Sequence, residues 1–101
     1  MAEKIYITRF FQSGSEKTID LYSLGLINYD SILVAINGQY GFGGAAVALC
    51  NIEDGSIKIK EWVKRTNTWC DFTLTESRYL KIKNTSGGNL NTVSVMVIRL
   101  G

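Results

Sequence analysis

A chain of 101 residues, 46% of them apolar and 20% charged, makes one globular domain with one hydrophobic core spanning 1–101. Its net charge of +2 is too small to draw a polyanionic partner by itself. The sequence contains no histidine and no proline, which removes the commonest general base and zinc ligand and leaves turns to Gly, Asn, Asp and Ser.

Met1-Ala2-Glu3-Lys4 passes directly into an alternating pattern with no apolar signal-peptide core, so export by the usual route is not expected. Glu3 to Phe11 alternates as a first strand, with Ile5 and Ile7 on one face and Tyr6, Thr8 and Phe10 on the other. Gln12 to Glu16 supplies turn chemistry, and Lys17 to Tyr22 alternates again with Ile19 and Leu21 inward, which predicts a hairpin. Ser23 to Asp30 is short and irregular and reads as a connection. Ser31 to Ile36 is a buried strand, broken by Asn37-Gly38.

The stretch 37–44 places four glycines around Tyr40 and Phe42. It reads either as a wide turn folded over a core edge or as a binding loop that exposes two stacking rings. No Gly-Lys-Ser/Thr follows, so it is not a nucleotide loop. Ala45 to Asn51 is the next strand, and Asp54-Gly55 predicts a tight hairpin turn into Ser56 to Trp62, with Ile57 and Ile59 inward and Lys58, Lys60 and Trp62 outward. Thr68 to Leu74 continues the pattern, with Cys70, Phe72 and Leu74 sharing a face. Tyr79 to Asn84 and Asn91 to Leu100, joined by a turn over Thr85 to Leu90, read as a closing hairpin. About eight strands with no helical period predict an all-β, antiparallel, jelly-roll-like β-sandwich.

Cys50 and Cys70 both fall inside predicted strands and do not form a CxxC pair. Buried free thiols are expected, with a single bridge as the alternative, and no metal site or cofactor follows. The longest apolar runs, Ile32 to Ile36 and Ala45 to Cys50, fall far short of the ~20 residues of a membrane-spanning helix, so a soluble chain is expected.

A small two-layer sandwich should show one apolar and one polar face on each strand. Ile32 to Ile36, Ala45 to Leu49 and Val95 to Ile98 are apolar on both. Contact between copies is the simplest cover, with Leu33, Ala35, Ala46, Ala48, Met96 and Ile98 as interface candidates. A closed barrel or an overlying turn is the alternative.

Ligand candidates are Tyr40 and Phe42, together with Trp62, Arg65, Asn67, Trp69 and Asp71 around the turn after the fifth strand. Rings there could stack on a sugar while Arg65, Asn67 and Asp71 bond its hydroxyls, or the indoles could lie in the subunit contact. Lys58, Lys60, Lys81 and Lys83 could form a basic face for single-stranded nucleic acid of OB type, but the interspersed acids and slight charge argue against it. Carboxylate pairs are the remaining acid/base candidates, and all lie in or near turns where solvated charge is expected, so no catalytic residue is assigned.

Leu80-Lys-Ile-Lys-Asn-Thr-Ser-Gly-Gly followed by Thr92-Val-Ser-Val-Met-Val-Ile-Arg-Leu resembles the last hairpin of small β-sandwich tip domains in bacteriophage tail fibres and related virion appendages. That resemblance implies a trimeric, jelly-roll-like head that decorates a virion or binds a host-surface carbohydrate, where base rates of symmetry alone favour a dimer. A virion location, or a cytoplasmic one when expressed, is expected. The sequence shows no shaft or coiled-coil pattern of a typical fibre, so an independently encoded small virion protein or a free sugar-binding lectin of similar build is the expected form.

Overall fold

The computed structural model describes residues 2–38, 46–65, 72–87 and 92–101. They form eight strands: β1 (Glu3–Ile7), β2 (Glu16–Asp20), β3 (Ser31–Gly38), β4 (Ala46–Glu53), β5 (Ser56–Arg65), β6 (Phe72–Thr75), β7 (Tyr79–Asn84) and β8 (Val93–Arg99). A five-stranded antiparallel sheet runs β1-β8-β3-β4-β5, and a three-stranded one runs β2-β7-β6. The all-β, two-sheet reading of the sequence holds. No helix among the described residues is long and apolar enough to cross a membrane.

The core lies between the sheets. Ile32, Val34 and Ile36 of β3, Ala48 and Cys50 of β4, and Val93, Val95 and Val97 of β8 are fully buried, and they meet Ile19, Leu80 and Ile82 of the smaller sheet. Their spacing of two along each strand is what aims them all one way. Asp54 (φ 52) and Gly55 (φ 70) close the β4–β5 hairpin with two successive left-handed residues, the primed turn that Asp-Gly favours.

Two expected hairpins are not hairpins. β1 pairs with β8 and β2 with β7, so the two ends of the chain run side by side and cross from one sheet to the other together. Alternation identifies a strand but not its neighbour, and β1 and β2, like β7 and β8, lie in different sheets. The crossing is held by buried Asn84. Its Nδ2 donates to the Phe11 carbonyl at 3.2 Å, and its Oδ1 accepts from the Ser86 N–H at 3.1 Å. Ser13 Oγ donates to the Ser86 carbonyl, and the Gly14 N–H donates to the Asn84 carbonyl at 2.6 Å.

Bulges correct two facings. A register shift between Lys4 and Tyr6 packs both Ile5 and Tyr6 against the core and leaves Ile7 63% exposed, so Ile5 and Ile7 do not share a face. Two further shifts in β5 skip Lys60 and Val63, and Trp62 consequently pairs with inward Ala48 instead of lying outward with Lys58.

Candidate functional site

The two outer faces of the sandwich differ in chemistry. On the three-stranded sheet, register sets Glu16 beside Lys83 and Thr73, and Thr18 beside Lys81 and Thr75, a largely polar surface with Tyr79 beside Asp20 at one end. On the five-stranded sheet the outward residues of the middle strands are apolar. Met96, Ala35 and Val47 form one row across β8, β3 and β4, while Ile98, Leu33 and Leu49 form the next. All six are half-buried, shaded by one another, and the two sheets account for every described strand, so no described strand lies over them.

Ile7, paired with Met96, extends the patch onto β1, and polar residues bound it elsewhere. Ser31 and Asn51, joined by a 3.0 Å hydrogen bond, continue the rows at one end with Lys58, and Asn37 and Ser94 continue them at the other. Glu61 and Lys64 on β5 flank Leu49 and Val47. An apolar centre within a polar rim of mixed charge is how protein interfaces are built.

Of the expected interface residues, Leu33, Ala35, Met96 and Ile98 lie on this face. Ala46 and Ala48 do not: they are 1% and 0% exposed in the core, and Val47 and Leu49 take the outward positions. A strand that is apolar throughout has no contrast from which to choose its inward parity. The missed signal lies at its polar end, because Asn51 and Glu53 share parity with Val47 and Leu49.

Of the ligand candidates, Tyr40, Phe42, Asn67, Trp69 and Asp71 lie outside the described residues, as does Cys70. Trp62 and Arg65 lie together. The Arg65 guanidinium sits 4.4 Å from the Trp62 ring centre and 5.7 Å from that of Phe72, and the two rings are 6.4 Å apart. With Ile59, Thr73 and Leu74 they line a cleft of about 310 Å³ where the edge strands β5 and β6 face each other. Arg65 thus covers the indole that was expected to stack on a ligand.

Comparison with protein-family models, curated proteins and solved structures finds no match.

The candidate lysines do not form one face. Lys58 points out from the larger sheet, Lys81 and Lys83 from the smaller, and Lys60 pairs with Glu53 at 2.7 Å. Two of the remaining carboxylates also have cationic partners. Asp20 binds Arg78 at 3.2 Å, which holds its carboxyl below the usual range, and Asp30 binds Arg99 at 3.0 Å. Cys50 is a free, buried thiol.

Proposed function

We propose that the chain is a non-enzymatic interaction module that assembles with copies of itself through the outer face of the five-stranded sheet. The contrast between the two outer faces carries this reading: one is dominated by charged and hydroxyl side chains, while the other is apolar across three adjacent strands, with Ile7 continuing it onto β1. A sandwich that met water on both sides would gain by making both faces polar.

Scale supports the same reading. Five strands ~4.8 Å apart and ~20 Å long present roughly 500 Å² in projection, the same order as the ~800 Å² of accessible surface that each partner gives to a stable interface. A second copy fits the rim, since Glu61 and Lys64 bring both signs to one edge. The likeness of residues 80–100 to tail-fibre tip domains suggests a cyclic trimer on a virion appendage.

Light scattering on the chain and on Leu49→Lys tests the assembly. The unaltered chain is expected to show a multiple of 11.2 kDa, Leu49→Lys the single-chain mass, and Lys81→Glu on the polar face no change. A mass of 11.2 kDa for all three at millimolar protein overturns the proposal.

A further inference from the structure

The connection between β2 and β3 is a built structure. Leu21 and Leu26 plug the core at 1% exposure each, while Tyr22, Ile27 and Tyr29 stand out at 59%, 66% and 92%. Nearly every residue of the connection is tied. The Ile27 N–H donates to Asp30 Oδ2 at 3.0 Å, the Tyr29 N–H to the Ile52 carbonyl at 2.9 Å, and the Gly55 N–H to Asn28 Oδ1 at 3.0 Å. Tyr29 is held at φ 77, a left-handed conformation that costs a bulky side chain about 1 kcal/mol or more. A fully exposed aromatic kept in a strained pose by a tied loop gains nothing for the core.

Between this connection and the β4–β5 turn lies a cleft of about 460 Å³, floored by Leu21, Leu26 and Ile27 and bounded by Tyr22, Asn28 and Asp54. A second hollow of about 200 Å³ adjoins it, with Asn28 and Asp54 common to both and Tyr29 and Glu53 beyond. The acids of this end are already matched to cations: Glu53 to Lys60, Asp20 to Arg78 and Asp30 to Arg99. Asp54, at the junction of the two hollows, has no ion pair among the described residues.

We infer that this cleft binds an organic cation, an ammonium or guanidinium group carried on an apolar stem. Asp54 supplies the charge, Tyr22 and Tyr29 supply ring surfaces that attract cations, and Leu21, Leu26 and Ile27 receive the stem. The molecule already uses this chemistry beside the cleft, where the Arg78 guanidinium lies 4.5 Å from the Tyr22 ring centre and 4.9 Å from that of Tyr79. An anion would meet Asp54 and Glu53, and a wholly apolar ligand would strip water from an unpaired carboxylate.

Amide NMR with n-butylammonium and butylguanidinium as probes tests the site independently of self-assembly, because its residues are not those of the outer face. Shifts confined to Tyr22, Ile27 to Tyr29, Asp54 and Gly55 are expected, weakening as salt rises. Asp54→Asn preserves the turn, since Asn suits the same left-handed position, and should weaken binding by roughly tenfold or more. Tyr29→Asn should weaken binding while keeping or raising the melting temperature, because Asn tolerates that φ. The assignment is overturned if neither cation shifts these amides, if either variant binds as the original does, or if n-butanol or methyl glucoside binds as well as the cations.

Discussion

The Ile59 N–H donates to the Glu76 carboxylate at 2.6 Å, and two residues earlier the Ile57 N–H donates to the Ser77 carbonyl at 2.8 Å. Ile57 and Ile59 belong to β5, an edge of the larger sheet, so the short loop between β6 and β7 ties that edge to the smaller sheet. An untied edge would offer its backbone donors to another chain.

Glu76→Ala should therefore lower stability by about 1 kcal/mol, read from denaturant midpoints, and increase aggregation on heating. Glu76→Gln keeps an acceptor and should lose less on both counts.

Asn84 is fully buried where the paired chain ends cross between the layers. Replacing it with Leu leaves the Phe11 carbonyl and the Ser86 N–H without their side-chain partner, and a loss of about 2 to 3 kcal/mol is expected in chemical denaturation.

Burial, with a smaller contribution from the Glu76 carboxylate, pushes the Cys50 thiol from an ordinary value of 9.0 up to about 12. Above pH 9 the unfolded chain gives up this proton while the folded chain keeps it. The stabilisation is therefore complete below pH 9 and drains away between there and about 12, by up to ~1.4 kcal/mol per pH unit. Urea midpoints measured from about pH 8 to about pH 11 should fall less steeply for Cys50→Ala than for the original chain. Native Cys50 should also resist alkylation at neutral pH.

Strand positions were legible in the sequence wherever polar and apolar residues alternate, as in Ile57 to Lys60 and Tyr79 to Lys83, and the Asp54-Gly55 turn was legible from its dipeptide. Strand partners were not, because Phe11 and Val93 come together only when both ends of the chain change sheets. The inward turn of Trp62 depends on bulges at Lys60 and Val63, which carry no local signature. The apolar outer face was visible from Leu33, Ala35, Met96 and Ile98, but β4 required reading parity backwards from Asn51. The cleft at Tyr22 and Tyr29 was not visible at all, since Ser23 to Asp30 has no period and its order comes from bonds to Ile52 and Gly55 far along the chain.

Self-assembly through Leu33, Leu49, Met96 and their neighbours is tested most directly by sedimentation equilibrium of the unaltered chain over a concentration series. A weight-average mass that climbs from 11.2 kDa to a fixed integer multiple is the expected result. A single species of 11.2 kDa at every concentration would contradict it.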